Sequence, residues 1–320
     1  MMLDGNYLAD EELGMERLKG IIMIISGGLL WGTTGPLLEW ILDTKSISVP
    51  FLLTIRLTCG GILLLSFLYG KKQDIFSIWK MPSWRNQLII FSIFGMLGIQ
   101  YGFTATIEAS NAVVATLLQF SAPIFVVAYV SLKHKTFPPR YQIIGIIGTL
   151  VGLFLLMTNG SFDQLLISTE ALIWGLIVGL AFAFYTLYPA RLMNEWSILI
   201  VVGWAMVIGG FILGVGNRVW SSNEWGILIE GIIPLVMVLL ILFGTIAFVL
   251  FLSSMKYITA VEASILSSVE PLTAMIISVI WFGTLLKSVQ LIGVLLMLLF
   301  VTWLSDSVHY STGVFASYRS

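Results

Sequence analysis

Charge is the scarcest ingredient of this 320-residue sequence: Asp, Glu, Lys and Arg together make up 10% of it. A soluble domain carries about 25%, so a water-facing surface cannot be assembled from what is here. The few charges nearly cancel, with a formal net charge of −1, which argues against nucleic acid as a partner. Cysteine occurs once, at Cys59, so no intrachain disulfide can form. The only histidines are His134 and His309, both in polar flanks, which leaves no His/Cys cluster for zinc, iron or haem; no metal and no cofactor is expected. A phosphate-binding glycine loop ending in Lys-Ser or Lys-Thr is missing too, so ATP hydrolysis by this chain is not expected. A basic leader is also lacking. The first 17 residues carry Asp4, Asp10, Glu11, Glu12 and Glu16 against Arg17, the reverse of a signal peptide, and residues 1–17 read as a short acidic cytoplasmic tail.

What is abundant is apolar. Hydrophobic residues make up 58% of the chain, and its mean hydropathy is +0.99. A membrane-spanning helix needs about 20 apolar residues, and ten runs qualify: 20–42, 50–69, 88–107, 111–132, 141–158, 171–190, 197–215, 230–252, 259–283 and 288–305. They are continuously apolar rather than alternating, which favours helices over a barrel. The expected class is therefore an all-α integral membrane protein with the lipid bilayer as partner. Lys and Arg set its orientation. With both termini inside, the cytoplasmic segments hold Arg17, Lys19, Lys71, Lys72, Lys80, Arg85, Lys133, Lys135, Arg140, Arg191, Lys256 and Arg319. The outer loops hold Lys45, Arg218 and Lys287, and Arg56 falls inside a span.

The spans are duplicated. Asn111–Leu132 aligns without a gap on Thr259–Ile280, pairing Ala112 with Ala260, Val113 with Val261, Ala115 with Ala263, Leu118 with Leu266 and Pro123 with Pro271. Further on, Gln142, Ile144 and Gly145 recur as Gln290, Ile292 and Gly293. The first spans of the two halves are also related: Trp31-Gly32-Thr33-Thr34-Gly35-Pro36 corresponds to Phe184-Tyr185-Thr186-Leu187-Tyr188-Pro189. The halves run over 18–158 and 170–306, joined by a polar linker and followed by a cytoplasmic tail at 307–320. Five spans per half is an odd number, so the second half must be inverted. The basic cluster Lys133, Lys135, Arg140 is lost at the equivalent end of span nine, as inversion requires. Inverted repeats with a midplane site at their interface are a mark of secondary transporters.

The Trp31-Gly32 pair, the early Arg56, the alanine-rich span with a central proline in two copies, and Glu270-Pro271 resemble the EamA family of the drug/metabolite transporter superfamily. AFYTLYPARL and EASILSSVEPL point in the same direction, toward a bacterial inner-membrane member. The resemblance covers about residues 18–306. It implies ten helices in two inverted five-helix repeats, a central cavity surrounded by helices 1, 3, 4, 6, 8 and 9, and export of amino acids or other metabolites. Many members end helices 4 and 9 with Gly-Glu. This chain has Leu132-Lys133 and Phe282-Gly283-Thr284 there, so a role for those glutamates does not transfer.

Several residues could carry the chemistry. Glu270 lies about 16 Å into its span, near mid-membrane. It can be a proton-coupling or cation-binding group, or a structural carboxylate hydrogen-bonded to Ser267 or a neighbouring helix. Arg56 can contact a substrate carboxylate or a gate; a structural ion pair or a side chain reaching outward is the plainer expectation. Pro36, Pro123, Pro189 and Pro271 stand at repeat-related places and each frees a carbonyl four residues earlier, so hinges are expected there. Trp31, Thr33, Thr34, Gln100, Tyr101, Gln119, Tyr185, Tyr188 and Ser267 supply rings and hydrogen-bonding groups for a small molecule with apolar and polar parts. Singly, each reads better as an interhelical packing contact or part of an interfacial belt; the site is suggested by the set. The expected function is a secondary transporter, an exporter of a small metabolite such as an amino acid, proton-coupled through Glu270. The rival classes are an intramembrane enzyme acting on lipid and a non-transporting scaffold; the sequence offers no nucleophile–base pair for the first and leaves the oligomeric state open.

Overall fold

The computed structural model describes residues 3–45, 47–119, 121–161, 168–259, 262–263, 266–267, 269–283 and 287–308, and all regular structure among them is helical. The long helices are α1 (Leu3–Lys45), α2 (Val49–Gly70), α3 (Pro82–Ala109) and α4 (Ala112–Lys133), and α5 (Arg140–Thr158). The second half supplies α6 (Thr169–Glu195), α7 (Ile198–Gly216), α8 (Ile233–Ser254), α9 (Val269–Phe282) and α10 (Ser288–Val308). Among the described residues, seven helices are long and apolar enough to cross a membrane: α1 from Gly14, α2, α3, α4, α6, α7 and α8. α9 is a shorter apolar helix, Val269–Phe282. The tail expected at 307–320 lies, from residue 309 on, outside the described residues, as do positions 162–167 of the linker.

The helix boundaries follow from local chemistry. Pro50, Pro82 and Pro234 stand in the first turns of α2, α3 and α8. There the missing N–H has no intrahelical partner to lose and the fixed φ suits helix entry. Ser168 opens α6, its hydroxyl accepting from the Ala171 N–H at 3.1 Å. The stretch read as an acidic tail is helical from Leu3. Asp and Glu near a helix start complement its dipole, and Leu, Met and Glu propagate a helix well. Between α2 and α3, Asp74 accepts from the N–H groups of Phe76 and Ser77, each at 3.0 Å, and from the Ser77 hydroxyl. The Ser77 hydroxyl, then those backbone donors, hold the Asp74 carboxyl below its ordinary range.

The packing repeats the duplication. α2 packs on α7 and α5 on α10; α1 packs on α8 as α3 does on α6; α1 packs on α9 as α4 does on α6. Exchanging the first five helices for the last five maps this set of contacts onto itself. Some interhelical links gather at the two ends of the helices. At one end Arg17 meets Glu262 at 3.2 Å, the Trp204 indole donates to Ile75 O and Arg191 stacks on Trp84. At the other, Lys45 meets Glu230 at 2.9 Å, Ser48 binds Glu224 and Ser168 donates to Ala109 O.

Four helices depart from regularity, and three of these departures bear on the site. α4 is divided into Ala112–Gln119 and Ala122–His134. α9 is preceded by helical Glu262, Ala263 and Leu266 and a turn at Ser267. α3 contains a π-helical stretch, Phe91–Leu97, the wider coil that often accompanies function. The fourth departure is in α6, which divides at Tyr188–Pro189, with helix resuming at Ala190. Pro123, Pro189 and Pro271 thus stand at or just after interruptions. Pro36 does not: α1 runs through it unbroken.

Candidate functional site

A small buried void sits where both halves contribute. It is about 20 Å³, measured as space open to the centre of a water molecule, which is enough for about one water. Its lining is Trp31 and Thr34 of α1, Arg56 of α2, Ile99, Gln100 and Phe103 of α3, Gln119 of α4, Phe182 of α6, Phe248 of α8 and Glu270 of α9. The sequence had pointed to Trp31, Thr34, Arg56, Gln100, Gln119 and Glu270, and the structure brings them together.

Glu270 stands in the first turn of α9, 2% exposed. The Gln119 Nε2 donates to its Oε2 at 3.0 Å, a bond from the first repeat to the second. No Lys or Arg nitrogen lies within 4.0 Å of it among the described residues. Its backbone N–H closes the break by donating to Ser267 O at 2.9 Å. α1 can approach this break because its own residues there have no side chain. A Cβ at Gly32 would sit 2.5 Å from Glu270 O and from the Thr273 Cβ. This is how the Gly28–Gly32 face packs.

Arg56 corrects the plainer expectation. It neither reaches outward nor forms an ion pair among the described residues; it is 3% exposed and turned inward. Its Nε donates to Leu240 O and its Nη1 to the Gln100 Oε1, both at 3.2 Å. The long side chain thus brings α2 into a cavity whose other helices are those the family resemblance implied.

Five other residues proposed for the cavity do not line it. Tyr185 is fully buried beside it; it stacks on Phe91, and its hydroxyl donates to Phe248 O at 3.3 Å. Tyr101 packs edge-on against Trp174 and Tyr188 stacks on Phe184. Ser267 is buried at the α9 break. Thr33 returns its hydroxyl to Leu29 O at 2.8 Å. The structure adds Ile99, Phe103, Phe182 and Phe248 as walls, and Trp31 stands edge-on to Phe248 at 4.8 Å and to Phe182 at 6.0 Å. The spacing of Phe103 from Gln100, one helical turn, was the available signal for that residue. Among the described residues no three His, Cys, Asp or Glu side chains are grouped to hold a metal.

The arrangement is one cation, one carboxylate and two primary amides in an aromatic shell. Such a set can meet a small polar group with charge and hydrogen bonds. The sequence profile of the EamA-like transporter family matches residues 18–158 and again 169–305. The chain belongs to the EamA-like transporter family. It is a multi-pass membrane transporter and not an enzyme.

Relatives of this EamA-like chain agree. It is 36% identical over 281 residues to a Salmonella typhimurium protein described as an uncharacterized inner membrane transporter, YicL, covering 88% of this chain and 93% of that one. It is 28% identical over 214 residues to an uncharacterized transporter of Archaeoglobus fulgidus, covering 64% and 71%. It is 24% identical over 307 residues to the riboflavin transporter ImpX of Fusobacterium nucleatum, covering 90% and 98%. A solved crystal structure superposes with a TM-score of 0.66 at 17% identity, over 89% of this chain and 96% of that one, which fixes the fold alone.

Proposed function

We propose that this transporter exports a small metabolite with apolar and charged parts, of the amino-acid class, across the bacterial inner membrane by alternating access. Transport is coupled to proton movement through Glu270. The observation that carries this reading is the meeting of a buried cation, Arg56, and a buried carboxylate, Glu270, in one aromatic-walled cavity shared by the two repeats. Buried ionisable groups in membrane helices mark substrate and ion paths. A void of about 20 Å³ holds no metabolite, so the cargo must enter when the helices part, and the breaks in α4, α6 and α9 supply places for that movement.

In this arrangement ten spans form two inverted repeats, 18–158 and 170–306, with both termini cytoplasmic. The surplus of Lys and Arg in the inner segments supports that orientation. Trp31, Thr34, Gln100 and Gln119 hold the cargo, with Pro123, Pro189 and Pro271 as hinges.

Everted membrane vesicles given a labelled amino-acid pool in the external medium test the reading. We expect accumulation that rises with an imposed pH gradient and falls to the ungated level in Glu270→Gln. Gradient-dependent transport that persists in Glu270→Gln removes the coupling role. An absence of any transported solute removes the export reading.

A further inference from the structure

We propose that Arg56 and Gln100 together form a subsite for a carboxylate group on the transported molecule. This rests on the reading of the cavity as the transport site and specifies which part of the cargo is recognised, and by which atoms.

The guanidinium has five N–H donors in a fixed fork. Nε is spent on Leu240 O and Nη1 donates to the Gln100 Oε1. The side chain is 3% exposed and has no carboxylate within 4.0 Å among the described residues. A buried cation left with neutral acceptors alone is costly, and three of its N–H bonds remain to be answered. Gln100 has the complementary deficit: its Nε2 is buried with no hydrogen-bond partner. The amide cannot be turned over to remove it, because Oε1 must face the guanidinium donor. Turned over, it would set NH₂ against N–H.

Gly244 fixes where these donors are presented. A Cβ there would collide with the Arg56 Nη2 and lie 3.0 Å from Nε and 3.1 Å from Cζ. The guanidinium therefore rests on the bare backbone of α8. Arg56 and Gln100 both line the void. What they offer is donors only, with a single positive charge. The matching group is a monoanion with two acceptor oxygens, and a carboxylate answers the guanidinium fork best. Glu270 does not fill this role: it accepts from Gln119, and it makes no ion pair with Arg56.

The test uses the full-length protein in detergent with matched probes: phenylalanine, leucine and methionine, the amine made from each by removing the carboxyl group, and the acid made from each by removing the amino group. Binding is read by calorimetry. Both carboxylate-bearing forms are expected to bind at least about tenfold more tightly than the amines, equivalent to about 1.4 kcal/mol. Gln100→Glu sets a carboxylate beside Arg56 at almost unchanged volume and is expected to erase that preference while the melting temperature holds or rises. Should Gln100→Glu not fold, Gly244→Ala serves instead, displacing the guanidinium and weakening acids but not amines. Amines binding wild type as tightly as acids, or a preference that survives both variants, overturns the subsite and leaves the transport reading standing. If no probe binds wild type, the transport reading of the cavity falls and the subsite falls with it.

Discussion

The broken helices α4 and α9 share a backbone and differ in chemistry. Each opens just ahead of a proline, Pro123 in one and Pro271 in the other, and the two prolines are paired by the sequence repeat. Each break carries a bond reaching back three residues, one position apart in the repeat: Ser121 N to Leu118 O in α4, and Glu270 N to Ser267 O, the carbonyl freed by Pro271, in α9. A proline cannot donate to the carbonyl four residues earlier, so the turn tightens to find another partner. The side chains then diverge. α9 carries Glu270 where α4 has the buried Ala122, and α4 carries Gln119 where α9 has Ser267. The two departures touch, since the Gln119 amide donates to the Glu270 carboxylate. Duplication determines where the backbone opens, and divergence determines which charge stands in the opening.

The comparison breaks most readily where α1 lies on the α9 opening. Gly32→Ala brings a methyl 2.5 Å from Glu270 O, a backbone atom that cannot swing aside. Overpacking of this kind costs about 3 kcal/mol. We expect a clear fall in melting temperature in detergent; an unchanged melting temperature would mean that α1 does not approach α9 so closely.

The bond between the two breaks comes next. Gln119→Ala removes the donor that answers a buried carboxylate, a loss of about 2 kcal/mol. The loss should largely vanish in a Glu270→Ala background, because the group left unanswered is then gone. A double-mutant cycle on melting free energies measures this. Strict additivity of the two substitutions would show that the bond carries no energy.

The positions of these openings were legible in the sequence, because proline acts on the backbone whatever surrounds it. The polar lining was legible for a related reason. Thr34, Gln100, Gln119 and Glu270 are out of place in lipid, so their presence in apolar runs already implied an inward direction. The apolar walls were not legible. Phe103, Phe182 and Phe248 face the void, while Phe94 and Phe211 face outward, at 61% and 67% exposure. Lipid is as apolar as a cavity wall, so hydrophobicity alone does not separate the two. The tyrosines misled because a hydroxyl can be spent on a carbonyl. Tyr185 donates to Phe248 O and packs behind the void instead of lining it. The inward reach of Arg56 depends on Gly244, almost 190 residues away in the chain, and no local pattern could reveal it.

The four prolines give the last and smallest test of the comparison. Sequence alone makes Pro36 and Pro271 alike, each within an apolar run and each paired with a proline in the other repeat. The structure separates them: α1 continues through Pro36, while the chain turns at Ser267 ahead of Pro271. A proline held in a continuous membrane helix has had its freed carbonyl answered by surrounding groups. Pro36→Ala should therefore raise stability by no more than about 1 kcal/mol and leave the transport rate unchanged. Pro271→Ala restores an N–H that can bond Ser267 O across a full helical turn, competing with the tighter bond from Glu270 N. That substitution should slow transport while stability holds, because it favours the closed helix over the open one. The measurement is the initial rate in vesicles, with both variants at matched protein levels. Equal rates in the two would mean that the break in α9 has no part in the movement and that proline marks only where the helix bends.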